Sequence, residues 1–185
     1  MHQSQEEIKE EHAIIERAKI DPEAFGYIYE KYYQHIFLFI ERRVDDYATA
    51  GDLTSQVFLK SMLNLDKYKF RGLPYSAWLY RIATNQVNEF YRESKNQRVI
   101  SLEDHHIEDV FEEINLSKDE LEPTELLIEL LNELDEDEIQ LLELRFFEKR
   151  AFKEVAFILN ITENNAKVKT YRIIDKLKKL ATANL

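Results

Sequence analysis

Apolar side chains recur every three or four residues along the first part of the chain, and this spacing constrains the fold more than any other feature. Phe25, Ile28, Tyr32, Ile36 and Ile40 form one such line. At 3.6 residues per turn these positions share one face, which predicts an amphipathic helix packed against other helices. Only 3 Gly and 3 Pro interrupt 185 residues, too few breakers for a many-turned β-sandwich or barrel. The sequence therefore predicts an all-α fold.

The same spacing predicts three helices in the first half of the chain. Asp21 and Pro22 open the first of them, because Asp caps free N–H groups and Pro fits the first helical turn. Together the three helices predict one small helical domain, a helical bundle, after an N-terminal extension. The predicted helices span about 21–44, 50–65 and 74–93, the domain spans 21–94, and the extension spans 1–20.

A helix-turn-helix pattern lies near the C-terminus, within a second predicted helical domain over 122–185. A short helix over 152–159 and a longer one from Glu163 flank a three-residue turn. Asn160 tolerates the left-handed conformation that ends the first helix, and Thr162 suits the N-cap of the second. On that second helix an apolar face, with Ala166, Ile173, Leu177 and Leu180, lies opposite a polar one, with Asn164, Lys167, Val168, Tyr171 and Arg172.

Charge is segregated along the sequence. The net charge of the chain is −11, but residues 103–143 alone carry −16, which leaves +5 for the rest. Positive charge concentrates in residues 66–98 and 144–185. The acidic total therefore does not exclude a nucleic-acid partner, and the aperiodic stretch 95–121 is predicted to be an acidic linker between the two domains.

Aromatic and basic residues alternate between Lys67 and Arg81, a mixture that suits single-stranded nucleic acid. Bases stack on the rings while phosphates meet the cations. The alternative is that Trp78 and the tyrosines complete a small core surrounded by solvated cations. One face of the helix that follows carries Trp78, Arg81, Asn85, Asn88, Glu89 and Arg92.

Several function classes find no support in the sequence. The absence of Cys excludes disulfides, thiolate metal sites and a cysteine nucleophile. His105 and His106 are adjacent, hence on different sides of any helix, and no Gly-rich phosphate loop is present. We therefore expect neither an enzyme nor a cofactor or metal. The acidic first residues lack an export signal, so we expect a cytoplasmic protein that does not insert into membranes.

Three motifs in this order resemble those of the extracytoplasmic-function sigma factors, the smallest bacterial RNA polymerase sigma subunits. The resemblance covers about residues 21–180. The motifs are Asp52-Leu53-x-x-Gln56-Val57-Phe58-Leu59-Lys60, then Trp78-Leu79-x-Arg81-Ile82-Ala83-x-Asn85 with Arg92, and finally Leu144-Arg145-Phe146-Phe147 with Glu154-Val155-Ala156 and Thr162-Glu163-Asn164-Asn165-Ala166-Lys167-Val168-Lys169.

The resemblance implies an initiation subunit that binds core RNA polymerase and promoter DNA, and it admits an anti-sigma protein as a further partner. Residues 21–94 would form region 2 and residues 122–185 region 4. Implied core-binding residues are Asp52, Leu53, Gln56 and Phe58. Implied minus-ten residues are Lys67, Lys69, Arg71, Trp78, Arg81, Asn85, Asn88, Glu89 and Arg92. Implied minus-thirty-five residues are Asn164, Asn165, Lys167, Val168, Lys169, Tyr171 and Arg172.

Two rival functions remain open at this point. A stand-alone helix-turn-helix regulator would explain the C-terminal pattern but gives the aromatic and basic residues of the third helix no role. A purely protein-binding helical module would use the acidic linker but leaves both basic segments without a purpose.

Overall fold

The computed structural model describes residues 3–44, 46–94, 110 and 130–184. The chain divides into two compact units, Met1–Ser101 and Leu102–Leu185. Within the described residues the regular elements are all helical and no strand occurs, which confirms the predicted all-α class. No helix among them is both long enough and apolar enough to span a bilayer.

The described part of the first unit contains four α-helices. They are α1 (Gln5–Ala18), α2 (Phe25–Glu41), α3 (Tyr47–Leu63) and α4 (Tyr75–Ser94). Helix α2 packs against α3 and α4, and α3 packs against α4. Their shared core is apolar and includes Ile28, Ile36, Phe39, Val57, Leu79, Ala83 and Val87.

The predicted start of the first helix needs correction. Asp21 accepts a hydrogen bond from the Glu23 N–H at 3.1 Å, but the residues it caps form a single 3-10 turn, and α2 begins at Phe25. The second predicted helix also begins earlier than expected. Asp46 caps α3 by accepting from the Thr49 N–H at 2.7 Å, a cap that was not predicted from the sequence.

Helix α1 lies in the segment that was predicted only as an extension. Ser4 and Glu7 form a capping box, in which each side chain accepts from the other residue's N–H. Ile8 and Ile15 are buried against the rest of the unit. The signal was present in the sequence, because Ser-x-x-Glu before an apolar line at helical spacing is a helix start.

Glu11 of α1 is a buried carboxylate that joins three helices. Its Oε2 accepts the Tyr75 N–H at 2.7 Å, and Tyr75 is the first residue of α4. Its Oε1 accepts from Lys31 Nζ at 2.8 Å and from the Tyr32 hydroxyl, both on α2. A carboxylate at a helix N-terminus satisfies a free donor and complements the helix dipole. Glu11 therefore fixes where α4 begins relative to α1 and α2.

The second unit is built around the predicted helix-turn-helix. Its described elements are residues 130–132, α5 (Glu136–Leu142), a π-helical turn (Glu143–Phe147), α6 (Phe152–Leu159) and α7 (Glu163–Asn184). Asp135 and Glu138 form a capping box at the start of α5. Asn160 is left-handed, with φ of 56°, and Thr162 Oγ1 accepts the Asn165 N–H at 3.2 Å, as predicted. The predicted linker lies outside the described residues except for Val110.

We expect Glu11→Ala to lower the free energy of unfolding by about 3 kcal/mol or more, since it leaves a buried N–H and a lysine without their acceptor. Urea denaturation followed by circular dichroism measures the change. Glu10→Ala, an exposed neighbour on the same helix, should change it by less than about 0.5 kcal/mol. Equal effects of the two substitutions would show that the buried carboxylate contributes nothing special.

Candidate nucleic-acid interface

A cavity of about 400 Å³ opens between the end of α3, the turn that follows it and one face of α4. Its two lysines come from α3 and the turn after it, and its aromatic and amide groups come mostly from α4. The size and the mixed lining suit a planar polar group such as a nucleobase. The lining residues are Lys60, Asn64, Lys67, Trp78, Ile82, Asn85, Gln86 and Glu89.

Trp78 reaches the cavity from an aromatic cluster. Its ring centroid lies 5.1 Å from that of Tyr68 and 5.3 Å from that of Tyr75. Burial raises the pKa of Tyr68 to about 12, and burial also raises the pKa of Tyr75. Both hydroxyls therefore stay neutral at physiological pH. The indole is partly exposed above this rigid and uncharged support.

The tyrosines of the aromatic and basic segment are core residues. Tyr68, Tyr75 and Tyr80 are buried, and the Tyr75 hydroxyl lies 2.7 Å from Ser61 Oγ of α3. The structural alternative raised by the sequence is thus correct for these three rings. Trp78 and Phe70 keep exposed surface and remain available for stacking.

Charges around the cavity are held by weak ion pairs. Glu89 lies 3.2 Å from Lys60 Nζ and 3.7 Å from Arg92, while Lys67 donates to Asn64 at 2.8 Å. Exposed pairs of this kind contribute about 0 to 1 kcal/mol. A phosphate can therefore replace Glu89 as the partner of Lys60 or Arg92 at little cost in free energy.

The predicted minus-ten residues divide into those that line the cavity and those that surround it. Lys67, Trp78, Asn85 and Glu89 line it. Lys69 and Arg71 are exposed on the loop before α4, Asn88 and Arg92 are exposed on α4, and Arg81 is half-buried. Lys60, Asn64 and Gln86 also line the cavity but were not predicted from the sequence. They come together only through the packing of α3 on α4, which spacing along one helix does not show.

The predicted core-binding residues lie on two different faces of α3. Asp52 and Gln56 are exposed, whereas Leu53 and Phe58 are buried, and the Phe58 ring packs edge-on against Tyr29 at 4.9 Å. In this structure Leu53 and Phe58 are core residues rather than surface groups. The exposed face instead continues along the helix through Leu59, Met62 and Leu63.

Helix α7 has the two faces that the sequence predicts. Ala166, Ile173 and Leu177 are buried, while Leu180 is half-buried. Every predicted minus-thirty-five residue is exposed: Asn164, Asn165, Lys167, Val168, Lys169, Tyr171 and Arg172.

Local contacts distinguish the cations of α7. Lys167 pairs with Glu163 at 2.8 Å and lies 5.9 Å from the Phe152 ring of α6. Lys169 and Arg172 line a cavity of about 240 Å³ together with Asp135, Asp137 and Glu138 from the start of α5. The carboxylates at the start of α5 thus lie beside the middle of α7, at Lys169, Arg172 and Lys176, and not beside its first turn.

Each of the two units matches a known protein family region. Residues 28–97 match sigma-70 region 2, and residues 130–179 match sigma-70 region 4. RNA polymerase sigma factor SigZ of Bacillus subtilis is 30% identical over 157 residues, which cover 83% of this chain and 84% of SigZ. ECF RNA polymerase sigma factor BldN of Streptomyces coelicolor is 27% identical over 172 residues, 90% of this chain but only 64% of BldN.

A solved structure shows the same fold. CnrH, determined in complex with the cytosolic domain of CnrY, has a TM-score of 0.62 and 17% sequence identity over 95% of this chain and 99% of that chain. With the matches to regions 2 and 4 and the similarity to SigZ and to the ECF sigma factor BldN, the conclusion is that this chain belongs to the extracytoplasmic-function sigma factors of the sigma-70 family.

Proposed function

We propose that this chain binds core RNA polymerase, directs it to specific promoters and helps to open the DNA there. The observation that best supports this proposal is the cavity beside Trp78. It has two lysines on its rim and a neutral aromatic support beneath the indole. A protein that reads only duplex DNA has no need of such a site. The exposed polar face of α7 supplies the duplex-reading surface that a promoter-directing subunit also needs.

In this proposal the cavity receives a base of the non-template strand that has left the helix. Lys60 and Lys67 contact the backbone phosphates beside it, and Trp78 forms an apolar wall. Asn85 offers an amide group that can hydrogen-bond to the base edge, while the buried Gln86 donates to Glu89 at 3.2 Å. Taking a base out of the stack costs a few kcal/mol, which these contacts offset. Glu89 completes the lining of the cavity, and Lys69, Arg71, Arg81, Asn88 and Arg92 surround the captured strand.

The double substitution Lys67→Ala with Asn85→Ala should reduce promoter opening about tenfold or more, because the unstacking free energy is no longer offset. Both side chains are exposed, so folding should be unaffected. Permanganate reactivity of thymines near the start site measures opening in the holoenzyme. A promoter with a mismatched bubble should restore part of the activity.

The matched control is Gln5→Ala with Lys9→Ala, which removes an exposed amide and lysine of α1 that do not line the cavity. It should open promoters as the parent does. Normal opening by the Lys67 and Asn85 variant would rule out the cavity as the site of base capture. Tight, selective duplex binding by the free chain would favour a stand-alone regulator instead.

We further propose that the exposed face of α3 docks on core polymerase. Asp52, Gln56, Leu59 and Leu63 fall on one line of the helix at spacings of three and four residues. The line is polar at one end and apolar at the other. Exposed leucines next to polar groups are the composition of a protein-binding surface. Leu53 and Phe58 would act beneath this surface by supporting α3.

Asp52→Ala with Gln56→Ala should weaken the binding of core polymerase by about tenfold or more while circular dichroism stays unchanged. Glu30→Ala with Gln34→Ala is the matched control. It removes a carboxylate and an amide of the same spacing from an exposed part of α2. Fluorescence anisotropy with labelled core gives both dissociation constants. Similar values for the two variants would exclude this face of α3 from docking.

The N-terminal half of α7 is proposed to read the minus-thirty-five element in the major groove. Asn164 and Lys167 contact base edges, and Asn165, Val168, Lys169, Tyr171 and Arg172 complete the contact surface. Asn can bond the N6 and N7 edge of adenine, and Lys can bond guanine.

We expect Asn164→Ala and Lys167→Ala each to lose about 1 to 3 kcal/mol of discrimination at a particular base pair. Transcription from a promoter library randomised in the upstream element measures this loss by position. Lys179→Ala, an exposed lysine near the other end of α7, should leave the sequence preference unchanged. Unaltered preference in all three variants would mean that α7 does not read bases.

A further inference from the structure

We propose that His12 of α1 is a positioning residue that holds Phe70 as a stacking platform for an unstacked base. This inference rests on the proposed function and extends it to a helix that precedes the region 2 match, which begins at residue 28. It also predicts a second base-contacting ring in addition to Trp78.

The two rings are stacked face to face. The His12 and Phe70 centroids are 4.2 Å apart, and the ring planes differ by 6°. Phe70 is nevertheless 37% exposed. Because the imidazole covers one face of the phenyl ring, the exposed surface belongs to the opposite face and the edges. A base can stack on that opposite face while His12 supports the ring from behind.

The surroundings of His12 indicate that the ring serves stacking. Its Nδ1 is buried and makes no hydrogen bond within the part of the chain that the structure describes, with the Glu16 carboxylate 3.8 Å away. The imidazole also meets the edge of Tyr68 at 6.5 Å. Its main contacts are thus with the two rings of the loop that leads into α4.

Helix α1 can hold the imidazole in place because it is itself fixed. Ile8, Glu11 and Ile15 are buried on the side that faces the bundle. Phe70, by contrast, lies in an irregular loop that contains Gly72 in the left-handed region, with φ of 67°. The loop therefore gains from α1 a rigidity that its own backbone does not provide. Lys69 and Arg71 are exposed on either side of Phe70, where they can meet the phosphates of a stacked strand.

The test places 2-aminopurine, whose fluorescence is quenched by stacking, at each unpaired position of a promoter fork bound by holoenzyme. The promoter comes from a selection by the holoenzyme on random sequences. We expect Phe70→Ala to restore the fluorescence at one position. His12→Ala should restore it at the same position and weaken fork binding by roughly fivefold. His12→Phe keeps the stack and should behave as the parent does.

Ile8→Val separates this role from a general loosening of α1. This substitution shortens a buried side chain of α1 that takes no part in the stack. It should lower thermal stability without changing 2-aminopurine fluorescence at any position.

If Phe70→Ala restores fluorescence at no position while the cavity variants still impair opening, the platform is wrong and the proposed function stands. If the parent quenches no position at all and opening is independent of the cavity, the proposed function itself fails. If Phe70→Ala restores one position but His12→Ala does not, or if Ile8→Val mimics His12→Ala, His12 is not a positioning residue.

Discussion

The hydrogen bond from the Tyr75 N–H to the Glu11 carboxylate sets the geometry of the N-terminal unit. Pro74 has no N–H, so Tyr75 supplies the first free donor of α4, and a distant helix satisfies it. The Tyr75 hydroxyl is held in turn by Ser61 of α3. One residue is thereby fixed through its backbone by α1 and through its side chain by α3. Trp78 lies one turn further along α4. These two contacts therefore also fix the position of Trp78 in the cavity wall.

Sequence reasoning worked where the signal was local. The cap at Thr162 and the left-handed Asn160 depend on neighbouring residues, and the structure confirms both. It failed where the determinant was tertiary. Phe58 belongs to a family motif, yet it packs under Tyr29, and the motif alone could not show that a ring of α2 would cover it. Glu11 reads as one more acidic residue of a solvated segment, because the partners that tie it to α2 and α4 are 20 or more residues away.

Within each unit, carboxylates beside the cations weaken the attraction of those cations for DNA. Glu89 holds Lys60 and Arg92 at the cavity, and the acidic start of α5 lies beside Lys169 and Arg172. Such carboxylates repel phosphate and lower nonspecific affinity, which depends on the number of cations free to displace counterions. Base-specific contacts are affected less. Binding therefore favours sites where many contacts form together, which is what a subunit that must ignore most of a genome requires.

Trp78 is the only tryptophan in the chain, and it lies within 5.3 Å of two tyrosine rings at the wall of the cavity. Its emission arises from this one site, and the two tyrosines are close enough to transfer excitation energy to it. The protein thus carries a built-in optical probe at the position where a base is proposed to enter. Quenching of that emission on mixing with DNA would give the time course of capture without any label.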